Sequence, residues 1–230
     1  LGAFVLLPSA SEYGELLYRD GVLDKAHRVV ANAYEDGPLS AETGLRLAKI
    51  QTHLGEVDAA MDTLTELIDS GVDDYLVVRA LADLKRSLGD MKGYIDLMLT
   101  LPVDQLEPNL HDEIAGWTRY EGRHRDEVSF LSRLEDAGLA SADQTQRLGM
   151  LLIVHDHLDA GVLHLARLDD AGLLKDAQAR LTLLSGQVRI GQHDNAQSRA
   201  RRWLSDDSDS SLEWSIDRMF EVRGISFERE

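Results

Sequence analysis

Eight histidines are the residues that could first carry proton transfer or hold a metal, and His155, His157 and His164 stand close together. Their spacing makes a poor ligand set: His155 and His157 flank the turn residue Asp156 and are expected to be exposed, while His164 lies two helical turns beyond His157. His124 and His193 each follow a turn residue by two positions, where Leu23, Val57, Met91 and Leu158 stand elsewhere, so both are expected to be partly buried substitutes for an apolar residue. No HExxH motif occurs, and the absence of cysteine removes thiolate zinc sites, disulfides and thiol nucleophiles together. The acid pairs Asp73–Asp74, Asp169–Asp170 and Asp206–Asp207 could in principle do paired-carboxylate chemistry, but each falls in a loop or near a helix end, where a solvated acid is expected. Glycines never form GxxxxGK[ST], nor GxGxxG after a strand, and serine, histidine and aspartate are too widespread to single out a triad. These residues therefore assign no catalytic group, no metal and no cofactor, and the chain is not expected to be an enzyme.

The charge balance narrows the partners. Twenty-four basic against 41 acidic side chains give a net charge of −17, which repels phosphate backbones and anionic headgroups and excludes nucleic acid. Aromatics at 6% and only 4 prolines point to a mostly helical chain. The apolar run Leu1–Leu7, followed by Pro8 and Ser9, is too short for a bilayer core, which needs about 20 residues. It is either a lead-in to the first helix or the end of a cut signal or anchor, so membrane contact is expected only through a tether upstream of residue 1.

What positions these residues is a repeat. Gly21, Gly55 and Gly89 recur every 34 residues, and Gly122, Asp156 and Gly191 continue with steps of 33, 34 and 35. Glycine and aspartate take φ > 0 after a helix end more readily than most residues, so each marks a tight turn inside a helical hairpin. Seven residues earlier stand Gly14, Ala48, Ala82, Ala115, Gly149 and Leu184; five residues later stand Ala26, Ala60, Tyr94, Glu127, Gly161 and Ala196. Small residues predominate in both columns, as close helix crossing requires. Apolar columns run one position before the first set (Tyr13, Leu47, Leu81, Ile114, Leu148, Leu183) and nine after the marker (Val30, Leu64, Met98, Leu131, Leu165, Ala200). Glu127, where a small residue belongs, makes the fourth unit the least regular. Pro102 falls inside the second helix of the third, predicting a shortened helix and a longer connection.

This period and these small-residue columns resemble the tetratricopeptide repeat over about residues 7–210. The resemblance implies an all-α, right-handed superhelical solenoid of about six hairpins, at about 7–40, 41–74, 75–108, 109–141, 142–175 and 177–210. Residues 211–230 are then a C-terminal capping helix, Leu212–Val222, entered through Ser205–Ser211 with a serine N-cap, or the start of a further repeat. The family's early aromatic is missing, since Ala10, Gly44, Val78, His111, Thr145 and Arg180 occupy that column, and its closing proline survives only as Pro38.

The resemblance further implies that the first helices line a concave face receiving one or more proteins or peptide segments. The columns pointing into it carry Tyr18, Arg19, Lys49, His53, Arg79, Arg86, Arg119, Tyr120, Met150, Ile153 and Arg189, with Val154 and Val188 beside them. The face is thus expected to be basic and tyrosine-bearing toward its start and apolar toward its end, where a partner helix would lie. The family's carboxylate clamp is missing, because its columns hold Ser11, Glu15, Arg46, Leu76 and Ala80. An apolar run leading into repeats is similar to membrane-tethered periplasmic scaffolds such as those of exopolysaccharide export. This implies a non-catalytic scaffold of a bacterial envelope assembly, the alternative being a cytoplasmic receptor for a regulatory peptide.

Overall fold

The computed structural model describes residues 9–206 and 210–227; the apolar run at 1–7, Asp207 with the segment before the last helix, and residues 228–230 lie outside the described residues. Among these residues the structure is all helical. Helices α1 (Ala10–Arg19) and α2 (Leu23–Asp36), α3 (Ala41–Leu54) and α4 (Val57–Asp69), and α5 (Tyr75–Ser87) and α6 (Met91–Met98) form three hairpins. Helices α7 (Pro108–Tyr120) and α8 (His124–Asp136), α9 (Ala142–Val154) and α10 (Leu158–Asp170), and α11 (Ala177–Arg189) and α12 (His193–Asp206) form three more, followed by α13 (Ser210–Val222). The chain falls into two compact units, one ending at Leu106 and one beginning at Glu107.

Local chemistry explains the boundaries. Ser9, Ser40, Asp74, Asp90, Ser141 and Asp176 each cap a helix by accepting a backbone N–H in its first turn, satisfying donors that the helix cannot. The turn markers end the first helices. Gly21, Gly55, Gly89, Gly122 and Gly191 have φ between 67° and 81°, and Asp156, at 66°, is the only non-glycine with positive φ among the described residues. At each, the following N–H reaches back to a carbonyl in the last helical turn, as in Glu56 to Gln51 at 2.9 Å and His157 to Leu152 at 2.8 Å, the closure of a Schellman motif. Ile225 donates in the same way to Phe220 at 3.0 Å past Gly224, whose φ is 68°. The same closure also ends the second helices α4, α8 and α10, at Gly71, Gly138 and Gly172.

The columns set the core. In the unit up to Leu106, Leu47, Leu64, Leu81, Ala26, Val30 and Ala60 are buried together; from Glu107 onward, Leu165, Leu183, Ala196, Ala200, Trp203 and Ile216 are. Tyr13 departs from its column and is exposed. The register pairs residues twelve apart across each turn, Gly14 with Ala26, Ala48 with Ala60, Ala82 with Tyr94, Ala115 with Glu127, Gly149 with Gly161 and Leu184 with Ala196, with at least one small residue in each; the helices meet at Gly14 with Ala26 and at Gly149 with Gly161. At the fifth pair the approach is tight, since a Cβ on Gly161 would come within 2.7 Å of the Gly149 carbonyl oxygen and 2.6 Å of Ile153 Cγ1.

The third hairpin is cut short. Pro102 has no N–H and disfavours helical geometry at Leu101, so α6 stops after 8 residues where the other second helices run 13 or 14. A 3₁₀ turn at Val103–Gln105 follows, and Pro108 opens α7 at a position where the missing donor costs nothing.

Candidate protein-binding face

In the unit up to Leu106, α1, α3 and α5 lie beside one another, and the side chains expected on a common face converge there. Tyr18 meets His53 edge-on, with ring centroids 5.2 Å apart and the hydroxyl 3.2 Å from the ring nitrogens. The Lys49 ammonium sits over the Tyr18 ring at 4.4 Å, within cation–π range. Between α3 and α5 runs a cleft of about 480 Å³, floored by Leu45, Ala48, Leu64, Leu76, Ala80 and Leu84 and edged by Lys49, Thr52, His53, Arg79 and Asp83. Leu76 is 58% exposed there. Arg86 lies over the Tyr94 ring at 5.3 Å, and Arg19, at the end of α1, is exposed.

The positive character expected of this face is largely answered within the chain. Arg79 pairs with Asp83 at 3.2 Å, Lys49 with Glu15 at 3.8 Å, and Arg46 with Glu42 at 2.7 Å. Two of these pairs are neighbours at a spacing of four, which follows from helix geometry, and the third joins α3 to α1. The cleft's dominant property is its apolar floor. Sequence reasoning passed over Leu45 and Leu76; the signal was the wide apolar arc of α5, where Leu76, Val77, Ala80, Leu81 and Leu84 cover more than the single stripe a buried helix needs.

From Glu107 onward the face divides. Tyr120 is 79% exposed and stacks edge-on against Trp117 at 5.5 Å; Val154 is exposed and Met150 half-buried. Ile153 does not belong to the face: it is 3% exposed, because Gly161 and Gly186 leave it room to sink between α9, α10 and α11. Val188 is buried as well. Arg189 pairs with Asp156 and donates to the Ile153 carbonyl at 3.3 Å. Gly224, as a seventh marker, adds Trp214 to the column of Leu45 and Arg79, ten residues before the marker, and Trp214 is exposed. The step of 33 residues from Gly191 was the signal for it.

Arg119 is held by the residue that makes the fourth unit irregular. Glu127 is fully buried and accepts from Arg119 Nε at 3.1 Å, Arg147 Nε at 2.8 Å and Arg147 Nη2 at 3.0 Å, with His124 Nδ1 3.6 Å away. Burial alone would raise its pKa, but the two guanidiniums outweigh that and hold the carboxyl below its usual range. These bonds tie α7, α8 and α9 together through one carboxylate. His124 and His193 are both exposed, correcting the expectation of partial burial, because the first residue of a second helix can turn a polar ring to solvent. Asp169 corrects another: it is a buried acid gripped by Arg199, Arg202 and Trp203 Nε1. His155 and His157 are exposed turn residues, and His164 lies against Glu135 at 3.5 Å. Among the described residues no three His, Cys, Asp or Glu side chains are grouped to hold a metal, and no helix is long and apolar enough to cross a membrane.

The 34-residue register, the small crossing pairs and the repeated left-handed closures now stand together on one chain. The fold is that of a tetratricopeptide array. No protein-family model matches the chain, and no curated protein does. Solved structures similar to it include the Naa15/Naa10 assembly bound to HypK, at 14% identity over 92% of this chain with a TM-score of 0.47. A tetratricopeptide repeat protein from Parabacteroides merdae is 11% identical, covering 93% of this chain and 85% of its own, with a TM-score of 0.44. Pseudomonas aeruginosa pilF is 13% identical, covering 91% and 95%, with a TM-score of 0.43. The tetratricopeptide array spans 33% of the chain it matches in the first of these. The similarities concern architecture, and the assignment rests on the chain's own register and geometry.

Proposed function

We propose that this array is a non-catalytic docking protein whose first helices receive a segment of a partner protein, with the cleft between α3 and α5 taking a bulky apolar side chain. The observation that carries this reading is the cleft itself: about 480 Å³ of space over a leucine and alanine floor, within the range that side-chain and ligand pockets occupy. An exposed leucine at its edge gives binding energy at little cost to folding. Lys49, His53 and Arg79 at the rim, already engaged by Glu15, Tyr18 and Asp83, offer hydrogen bonds to carbonyl groups beside the anchor.

The test is a photo-crosslinking amino acid placed at Leu76 and, as a control, at Leu163, which is equally exposed at 58% but lies on a second helix. A distinct protein should be trapped from native cells at position 76, and Arg79→Glu should abolish trapping while leaving the helical signal unchanged. Equal trapping at both positions, or none at position 76, would overturn the reading. Placement in a bacterial envelope assembly, including polysaccharide export, rests on the apolar run at 1–7; fractionation of the native protein checks it separately.

A further inference from the structure

The truncation of α6 leaves a second cleft, on the loop edge of the unit up to Leu106. Five residues fewer than in α4 shorten the helix by about 7 Å at 1.5 Å per residue. Leu101, Val103 and Leu106 are buried in the connection that replaces it. The rest of the space is a cleft of about 450 Å³ between the end of α4, the start of α5 and the end of α6, with Ile68, Val72, Val78, Leu97, Leu101 and Pro102 supplying its apolar walls. Most of these walls are half-buried, so the cleft is open to solvent.

The charged residue that lines it is acidic. Asp73 lines the cleft, and Asp69 and Asp104 adjoin the lining residues Ile68 and Gln105 in sequence; all three are exposed. No lysine or arginine is among the lining residues. Where the cleft between α3 and α5 mixes Lys49 and Arg79 with Asp83 at its edge, this one has Asp73 as its charged lining residue over an apolar floor. A bulky apolar group gains burial in such a site, and basic groups on either side of it gain from the rim.

We infer that this cleft is a second docking site, for a partner segment in which one bulky apolar side chain is flanked by lysine or arginine. It is independent of the proposed use of the first-helix face, because it lies on different residues and its lining charge is acidic rather than balanced. The apolar side chain enters between Val72, Val78 and Leu97, and the flanking cations meet Asp73 and Asp104.

The experiment is a methyl NMR titration of the full chain, with isoleucine, leucine and valine methyls labelled. The probes are two synthetic peptides, one with phenylalanine between lysines and one with phenylalanine between glutamates. The lysine peptide should shift the Val72, Val78 and Leu97 methyls saturably. The glutamate peptide should bind there about tenfold more weakly, and Asp73→Lys with Asp104→Lys should reverse the preference, as repulsion at a charged rim requires. Both substitutions are at exposed positions, so the remaining methyl spectrum should be unchanged. Absence of saturable shifts at these three residues, or equal affinity for the two peptides, overturns the inference. Shifts confined to Leu45, Leu76 and Leu84 would overturn it too while leaving the first-helix reading intact; failure of crosslinking at position 76 leaves this one untouched.

Discussion

Replacing Glu127 with alanine should destabilise the unit that begins at Glu107 by about 2–3 kcal/mol. Breaking a buried ion pair by deleting one partner typically costs about 3–5 kcal/mol when the remaining charge is stranded in the interior. Here Arg119 and Arg147 retain 52% and 29% side-chain exposure, so both regain water, and the lower figure follows. The three hydrogen bonds lost are all charge-assisted. Trp117, Trp203 and Trp214 all lie after Leu106, so tryptophan fluorescence during urea unfolding follows this unit alone, while far-ultraviolet circular dichroism follows both. The fluorescence transition should move to lower urea, with the dichroism change confined to the corresponding part of the signal. The pH dependence supplies the second check. A carboxyl whose folded pKa lies below its unfolded value of about 4.3 stabilises above that value and loses the contribution as pH falls through the folded pKa. The gap between the parent and Glu127→Gln should therefore be full at neutral pH and close in acid. A fluorescence midpoint unchanged in Glu127→Ala, or a gap that persists once the carboxyl is protonated, would refute this account.

Three further outcomes are expected. Gly161→Ala should cost about 1–3 kcal/mol by overpacking against the Gly149 carbonyl and Ile153, whereas Gly116→Ala, which meets open space within α7, should stabilise by about 0.5–1 kcal/mol; thermal melts followed by tryptophan fluorescence compare the two. Gly55→Ala should lose roughly 1 kcal/mol from backbone strain alone, since φ is 81° and nothing lies near the added methyl, and the dichroism transition reports it. Tyr34, pushed up to about 12 by burial and by the hydrogen bond it donates to Glu66 at 3.1 Å, should ionise well after a free tyrosine in an ultraviolet titration, and Tyr34→Phe should remove that late step. Because its folded pKa exceeds the unfolded one near 10, the stability it contributes is present below that value and is lost as pH rises toward 12.

The turns were legible because their chemistry is local: a left-handed closure selects glycine, or in one case Asp156, wherever it occurs, and six such positions at nearly constant spacing give the register. Pro102 was legible for the same reason. Side-chain burial on the face was less so, because it depends on residues far away in sequence. Nothing near Ile153 says that Gly161 and Gly186 will let it sink, and nothing near Asp169 announces Arg199, Arg202 and Trp203 some thirty residues later. Charge was misleading on the face in a systematic way. The cations of α3 and α5 were visible, but their partners Glu15, Glu42 and Asp83 occupy adjoining columns, so a basic stripe in sequence becomes a nearly balanced surface in space. The apolar cleft beneath it emerges only when two helices, each with one or two surplus leucines, are set side by side.

The paired crossing positions carry a rule for recombining this array. In the register Tyr94 is matched by Ala82, Glu127 by Ala115 and Leu184 by Ala196, so a large residue on either helix of a hairpin is matched by a small one on the other. First and second helices are consequently not interchangeable modules. A chimera joining the sixth unit's first helix, with Leu184, to the third unit's second helix, with Tyr94, would set two bulky side chains into one crossing and force the helices apart. Joining the fifth unit's first helix, with Gly149, to that same second helix would instead meet the requirement. Libraries built from this chain by exchanging single helices should sort into folded and unfolded members by the summed volume at that one pair of positions.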